Sequence, residues 1–102
     1  MTNKAIWASH EFNVYTPSTE WYDRAGIYIF AKIGPDNHWN ALYIGQTNSF
    51  SERLSNHERW IEAAKLGATH VHARVVSDQR ERDDVEAQLI RINQPPLNTQ
   101  LK

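Results

Sequence analysis

Two β-rich runs separated by a turn-forming segment constrain the fold of this chain more than any other feature. The runs, Ala25 to Ile33 and Ala41 to Gly45, are rich in Ile, Tyr and Phe, which suit the pleated, half-buried surface of a strand. The residues between them, 34–40, include Gly, Pro, Asp and Asn, which are typical of a chain reversal. The pattern predicts two antiparallel strands joined by a loop slightly longer than a tight hairpin turn.

Side-chain alternation along these strands places two tyrosines on one face. Successive side chains of a strand point to opposite faces, so the aliphatic positions of Ile27 to Ile33 share one face and Tyr28 falls on the other. In the partner strand, Leu42 and Ile44 alternate with Tyr43. We therefore expect the aliphatic side chains to face a core, and Tyr28 and Tyr43 to lie near each other on the opposite face.

A helix is predicted to begin near Phe50. Ser49, followed three residues later by Glu52, forms a capping-box pattern at its start. Arg53 and His57 are one helical turn apart, so both side chains can point the same way. Taken singly, Arg53 is expected to form a surface ion pair with Glu52 or another neighbour, and His57 to lie on the helix surface.

The next segments predict a second helix and a third strand. Residues 60–66 suit a helix closed by Gly67, a residue type common just past a helix end. Residues 69–76 alternate as a strand, with His70 and His72 on one face. That spacing can bind a metal, but no third ligand lies nearby in the sequence, so we expect both histidines to face solvent.

The last predicted helix covers residues 79–93 and ends before the prolines at 95–96. Its apolar stripe consists of Val85, Leu89 and Ile92. Glu86 lies at the border of this stripe, where a charged side chain needs a partner or a function. A salt bridge to Arg82 or Arg53 and a role as a metal ligand are the two alternatives.

Length and composition are those of one globular domain. At 102 residues, we expect a single domain over residues 1–102, in which residues 1–23 form an N-terminal extension that packs on the core or extends the sheet. The chain contains no cysteine, which excludes disulfides and thiolate metal sites and fits a cytoplasmic protein. The N-terminus has no long apolar run, so we expect neither a signal peptide nor a membrane span.

The order of these motifs resembles the GIY-YIG nuclease family. Gly26-Ile27-Tyr28 and Tyr43-Ile44-Gly45 are similar to the two tripeptides that give the family its name. The other matching elements, in chain order, are Gln46-Thr47, Arg53, His57, Glu86 and Pro95 to Asn98. The resemblance covers residues 24–98, and it is specific because several elements occur in the right order.

The resemblance and the element pattern agree on the fold and imply a function. We expect an α/β fold in the broad, α+β sense: a small three-stranded antiparallel sheet flanked by helices. The resemblance implies a divalent-metal-dependent endonuclease that hydrolyses DNA phosphodiester bonds by a single-metal mechanism and leaves 5′-phosphate and 3′-hydroxyl ends. Its cofactor would be Mg²⁺ or Mn²⁺.

Each candidate site residue suits one part of this chemistry. Glu86 is a hard oxygen ligand for one Mg²⁺ or Mn²⁺ ion, and the guanidinium fork of Arg53 matches the geometry of a phosphate. Tyr28, Tyr43 and His57 are candidates to take, relay or orient the proton of the attacking water. Since the unperturbed pKa of tyrosine is about 10, a tyrosine base needs a nearby cation or metal ion to lower it.

Four further residues complete the prediction. Asn98 matches the C-terminal asparagine of the family, which implies that it braces the active-site tyrosines; a loop residue that bonds local backbone is the alternative. Asp83 and Asp84 are expected to turn away from Glu86 on the helix. Gln46 stands where many family members carry lysine and cannot act as a base, so we expect Tyr28 or Tyr43 to take that role.

Two other functions fit the sequence. The first is a non-catalytic nucleic-acid-binding module on the same fold, motivated by the near-neutral net charge of −1 and by Gln46. The second is an interaction domain that uses the aromatic N-terminus as a partner surface. For a nuclease, the partner would be DNA, single- or double-stranded. No separate recognition domain is visible, so we expect specificity to come from a homodimer, a partner protein or the N-terminal segment.

Overall fold

A single antiparallel sheet is the centre of the fold in the computed structural model, which describes residues 3–99. The strands are β1 (Lys4–Trp7), β2 (His10–Tyr15), β3 (Gly26–Ile33), β4 (Trp39–Thr47) and β5 (His70–Val75). The helices are α1 (Phe50–Leu54), α2 (Glu58–Lys65), α3 (Gln79–Asn93) and α4 (Pro96–Thr99). The strand order is β1-β2-β5-β3-β4, so the α+β prediction is confirmed, with five strands in place of three. The first two and last three residues of the predicted domain lie outside the described residues.

The two additional strands come from an N-terminal hairpin. Ala8 and Ser9 connect β1 to β2 with φ angles of 49° and 73°. A type I′ turn requires a positive φ at both of its central residues, as found here. Strand β2 then pairs with β5, and the hairpin brings Trp7 and Phe12 into the core. The predicted extension of the sheet edge is therefore present. Among residues 3–99, no helix has the length and apolar character needed to cross a membrane.

Both faces of the sheet are covered. On one face, Ile29 and Ile44 pack against Val85 and Leu89 of α3. On the other face, the Tyr28 ring lies in a second core with side chains from α1, α2 and α4. The expected separation of aliphatic residues from Tyr28 is thus present, but Tyr28 is only 1% exposed because helices cover its face as well.

A β-bulge changes the predicted alternation of β4. Phe30 pairs with Tyr43 and Ala31 pairs with Ala41, so Leu42 is an extra residue on this strand. Leu42 consequently packs in the same core as Tyr43, and the prediction that it shares a face with Ile44 is wrong. The bulge lets Ala41 and Ile44 serve one face while Leu42 and Tyr43 serve the other.

The buried histidine His72 corrects a second prediction. His72 was expected to face solvent, but it is fully buried, and its Nδ1 accepts a hydrogen bond of 2.9 Å from Trp7 Nε1. The ring of Trp39 lies edge-on at 4.4 Å between centroids. Because the N-terminal hairpin supplies Trp7, the burial of His72 could not be anticipated from β5 alone. Burial lowers the pKa of His72 to about 4.

Helix α3 begins and ends at the predicted residues, but its buried stripe differs at one position. Asp78 caps the helix by accepting a hydrogen bond of 2.8 Å from the backbone N–H of Glu81. Leu89 is fully buried, whereas Ile92 is 56% exposed. Ile90 packs on the core instead of Ile92, because the side of α3 that carries Ile90 faces the sheet.

Truncation to alanine is expected to cost different amounts of stability at Leu89 and at Ile92. We expect Leu89→Ala to lower the free energy of unfolding by about 2–5 kcal/mol, because it leaves a cavity between α3 and the sheet. The matched change Ile92→Ala, at an exposed position, should alter it by less than about 0.5 kcal/mol. Urea unfolding of both variants measures the difference, and similar losses would contradict this assignment of the buried face.

Candidate active site

Three predicted site residues meet on the face of the sheet that α1, α2 and α4 cover. The Oη atom of Tyr28, on β3, lies 2.8 Å from Nε2 of His57. The ring of Tyr43, on β4, lies 6.3 Å from the Tyr28 ring and 5.3 Å from the His57 ring, measured between centroids. Phe30 packs edge-on against His57 at 4.9 Å. The predicted proximity of the two tyrosines is confirmed, and the histidine joins them.

His57 reaches this position by a different route from the predicted one. Helix α1 ends at Leu54, and His57 is the N-cap of α2, where its Nδ1 accepts a hydrogen bond of 2.9 Å from the Arg59 backbone N–H. Residues 55–57 are Ser, Asn and His, which are weak helix formers, so the helix breaks before the second turn. The prediction that Arg53 and His57 share one helix is therefore wrong.

The cap interaction determines which nitrogen of His57 carries the proton. A neutral imidazole has one N–H, and Nδ1 is an acceptor here, so the proton lies on Nε2. Nε2 therefore donates to Tyr28 Oη, and the Tyr28 hydroxyl keeps its own proton for another acceptor. Burial, followed by the charge of Arg53, lowers the pKa of His57 to about 4, which keeps the ring neutral at pH 7.

The same environment keeps Tyr28 a neutral phenol. Burial raises the pKa of Tyr28 well above its usual value, and interaction with Tyr43 raises it further. The guanidinium of Arg53 acts in the opposite direction and lowers it. Glu86 contributes a smaller increase. A cation added near this phenol would strengthen the effect of Arg53.

The two buried histidines predict a loss of stability in acid. His57 and His72 both have folded-state pKa values of about 4, below the ordinary 6.5, so the unfolded chain binds more protons between these values. We expect the free energy of unfolding to fall as the pH is lowered through this window, by up to about 3 kcal/mol per histidine, and to change little from this source at lower pH.

Urea unfolding between about pH 7 and about pH 4 measures this slope. His72→Gln, which removes one titrating ring, should give a shallower slope than the unchanged protein. His38→Asn, at an exposed histidine, should not. An unchanged slope in His72→Gln would contradict the assignment.

Arg53 lies at the edge of this cluster, paired with Glu58. Its Nη1 and Nη2 atoms donate to the two carboxylate oxygens of Glu58 at 2.8 and 2.9 Å. The predicted surface ion pair is thus present, but its partner is Glu58 rather than Glu52. The Arg53 guanidinium lowers the pKa of Glu58 to about 2, and the hydrogen bonds to Glu58 raise the pKa of Arg53. A bound phosphate would replace the Glu58 carboxylate on the Arg53 guanidinium, or would share the guanidinium with it.

Glu86 approaches the site from the other face of the sheet. Its Oε1 accepts a hydrogen bond of 2.9 Å from Nε2 of Gln46, on β4. The predicted salt-bridge partner Arg82 is buried and donates instead to backbone oxygens at Val76 and Ser77, and Arg53 pairs with Glu58. Both salt-bridge alternatives for Glu86 are therefore wrong.

Asp83 lies beside Glu86, contrary to prediction. The same Gln46 Nε2 atom donates to Asp83 Oδ1 at 2.8 Å. Residues three apart on a helix are neighbours, so this spacing was the available signal in the sequence. The hydrogen bonds from Gln46 and Gln79 lower the pKa of Asp83, which keeps it ionised.

Asn98 supports the site through the backbone of β4. Its Oδ1 accepts from the Ile44 N–H at 2.8 Å, and its Nδ2 donates to the Ile44 carbonyl at 2.9 Å. β4 is the edge strand of the sheet, so its outward backbone groups have no neighbouring strand, and this amide takes the place of one. Asn98 thus holds the backbone of Ile44, the residue next to Tyr43. The resemblance had implied direct bracing of the tyrosines, but Asn98 does not bond a tyrosine hydroxyl.

The edge strand joins the two halves of the site. Gly45 on β4 pairs with Tyr28, and a Cβ atom at Gly45 would lie only 2.5 Å from the Tyr28 ring. The neighbouring Gln46 holds Glu86 on the α3 side. The site therefore wraps around the β4 edge, with the tyrosines on one face and the carboxylates on the other.

The carboxylates of α3 suit a hard divalent cation. Within residues 3–99, no group of three or more His, Asp or Glu side chains is arranged to hold a metal. Mg²⁺ is commonly bound through one or two carboxylates, with waters and substrate phosphates completing its shell. Glu86, half-buried and oriented by a neutral amide, fits such a site, with Asp83 beside it.

Comparison with solved structures identifies the fold. The GIY-YIG N-terminal endonuclease domain of UvrC from Thermotoga maritima, in a point mutant bound to its catalytic divalent cation, has 27% sequence identity and a TM-score of 0.61. The match covers 74% of this chain and 83% of that domain. This protein has the GIY-YIG nuclease fold. The magnesium-bound form of the same domain has 28% identity and a TM-score of 0.59, covering 74% and 84% of the two chains.

Comparison with family models and with curated proteins gives no match. No protein-family model matches the chain, and no curated protein is significantly similar to it. The segments Gly26-Ile27-Tyr28 and Tyr43-Ile44-Gly45 lie side by side in the sheet, since Tyr28 pairs with Gly45 and Ile29 pairs with Ile44. The GIY-YIG domains similar to this chain are bound to a catalytic divalent cation, as the chemistry of Glu86 and Asp83 would suit.

Proposed function

We propose that this protein is a divalent-metal-dependent endonuclease that hydrolyses DNA phosphodiester bonds with a single metal ion. The observation that carries the proposal is the arrangement at the β4 edge, where Tyr28, Tyr43 and His57 lie on one face and Glu86 on the other. Support comes from the shared fold with GIY-YIG endonuclease domains bound to a catalytic divalent cation. The sequence resemblance extends the same expectation to Arg53 and Asn98.

Glu86 would hold Mg²⁺ or Mn²⁺, with Asp83 next to it. When bound, the ion would supply positive charge that stabilises the phosphoryl oxygens and makes water easier to deprotonate. Arg53 would bind a non-bridging phosphate oxygen with its planar fork. Its pairing with Glu58 holds the guanidinium in place before substrate binds.

Tyr43 is our candidate for the group that takes the proton of the attacking water. Its side chain is partly exposed, whereas Tyr28 is 1% exposed and its oxygen accepts a hydrogen bond from His57. Tyr28 keeps its proton and is placed to donate it, which suits orientation of Tyr43 or of a water molecule. The charge of Arg53 lowers the pKa of Tyr28 but does not outweigh its burial, so Tyr28 stays protonated.

A cleavage assay tests the proposal. Supercoiled plasmid and end-labelled single-stranded DNA are incubated with the protein in Mg²⁺, in Mn²⁺ or in EDTA, and product ends are tested for 5′-phosphate and 3′-hydroxyl groups. We expect cleavage with either metal and none in EDTA. DNA binding without cleavage in both metals would instead support the non-catalytic binding module.

Specificity through a homodimer or a partner protein remains a separate proposal. A single catalytic site cuts one strand at a time, so a monomer would nick a plasmid before linearising it. Sedimentation with and without DNA measures the oligomeric state directly. A monomer that nicks would favour sequential cleavage, and a dimer that linearises in one step would favour paired sites.

A further inference from the structure

A hydrogen-bond network on the α3 side of the site organises the two carboxylates. Nε2 of Gln46 donates one proton to Asp83 Oδ1 at 2.8 Å and the other to Glu86 Oε1 at 2.9 Å. Two carboxylates one helical turn apart repel each other, and a neutral amide that donates to both reduces the repulsion. Because the amide carries no net charge, the pair keeps its full negative charge.

A hydrogen bond from Gln79 fixes the orientation of the Gln46 amide. Gln79 Nε2 donates to Gln46 Oε1 at 3.0 Å, which identifies the oxygen end and turns the NH₂ group toward the carboxylates. Gln79 Oε1 in turn accepts a bond of 2.6 Å from Arg82, whose side chain is 4% exposed. The network therefore begins at a buried, immobilised cation and ends at Glu86.

We propose that Asp83 joins Glu86 in holding the divalent cation, and that Gln46 is the positioning residue that keeps the two carboxylates together. The inference rests on the proposed function. Oxygens that share one hydrogen-bond donor lie close enough to share one cation after a small side-chain adjustment. The solved domains of the same fold are bound to a catalytic divalent cation, which supports a metal site in this fold. The assignment of Asp83 rests on the donor that it shares with Glu86.

The N–H donors of residue 46 are expected to influence metal affinity. A thioether in place of the Gln46 amide would remove both donors without changing the net charge. The two carboxylates would then repel each other and separate, so that one cation could contact both only at a further cost. A merely structural role for Gln46 would lower the free energy of unfolding and leave Mn²⁺ affinity unchanged, whereas a positioning role lowers Mn²⁺ affinity in the folded protein.

The test is titration of the purified protein with Mn²⁺ alone, followed by calorimetry or by the EPR signal of free Mn²⁺. The variants are Gln46→Met, Asp83→Asn and Glu86→Gln, with Gln88→Met as the control. Gln88 lies on α3 but contacts His10 of the N-terminal hairpin. Urea unfolding of each variant establishes that it is folded.

We expect Asp83→Asn to weaken Mn²⁺ binding by about 10–100-fold, and Gln46→Met to weaken it by an amount at the lower end of that range. Wild-type affinity in Asp83→Asn and Gln46→Met, with binding lost in Glu86→Gln, would overturn this inference and leave the proposed function intact. Absence of Mn²⁺ binding by the unchanged protein would overturn both. A Gln88→Met variant that binds Mn²⁺ as weakly as Gln46→Met would show that the effect does not depend on the carboxylate contacts, and would also overturn the role of Gln46.

Discussion

Glu86→Gln is expected to abolish metal-dependent cleavage without unfolding the protein. The substitution keeps an oxygen that can accept the Gln46 hydrogen bond but removes the charge that would hold a divalent cation. We expect the cleavage rate to fall by at least about a thousandfold, equivalent to about 4 kcal/mol of transition-state stabilisation. Initial rates of plasmid nicking at saturating Mg²⁺ measure the effect.

Asp84→Asn is the matched control for this experiment. Asp84 lies on the same helix and is exposed, so its neutralisation removes the same charge away from the Gln46 network. It should cleave at close to the original rate, and thermal unfolding of both variants should remain cooperative. Normal turnover by Glu86→Gln would exclude Glu86 as the metal ligand, and an inactive Asp84→Asn would point to net charge instead.

The two tyrosines are expected to respond differently to removal of their hydroxyl groups. Tyr43→Phe should lower the cleavage rate by about 10²–10⁴-fold, the usual range for loss of a general acid or base. The stability of this variant should change little, because the aromatic ring is retained and its position is partly exposed. The measurement is the single-turnover cleavage rate beside the free energy of unfolding for each variant.

Tyr28→Phe should show the opposite balance. It leaves the buried Nε2–H of His57 without its acceptor, which costs about 1–3 kcal/mol of stability. The rate should fall less than in Tyr43→Phe, because Tyr28 orients the cluster and does not take the proton. A Tyr43→Phe variant of normal rate beside an inactive but stable Tyr28→Phe would reverse the two roles.

Local patterns were sufficient for most of the secondary structure. The strands β3, β4 and β5 and the helix α3 follow from alternation, helical spacing and capping residues, all of which act between residues close in sequence. The resemblance to the GIY-YIG family made Tyr28, Tyr43 and Glu86 candidate site residues. Strand alternation placed the two tyrosines on a common face, because alternation and register together decide this.

Several of the errors share one physical cause: a partner distant in sequence decided the outcome. His72 is buried because Trp7, 65 residues away, covers it and donates a hydrogen bond. Asn98 bonds the backbone of Ile44 because β4 is left at the sheet edge. The pairing of the N-terminal hairpin with β5 and the bulge at Leu42 likewise depend on long-range strand pairing, which local propensity does not specify.

The sequence by itself determined which chemical groups are available: two tyrosines in paired strands, an arginine, a histidine and a carboxylate on an amphipathic helix. Only the tertiary structure decided how they combine. It caps α2 with His57 and so directs Nε2–H to Tyr28, and it turns Asp83 and Glu86 toward one amide of Gln46. The reason is that hydrogen bonds and charges act over a few ångströms in space, whatever the separation along the chain.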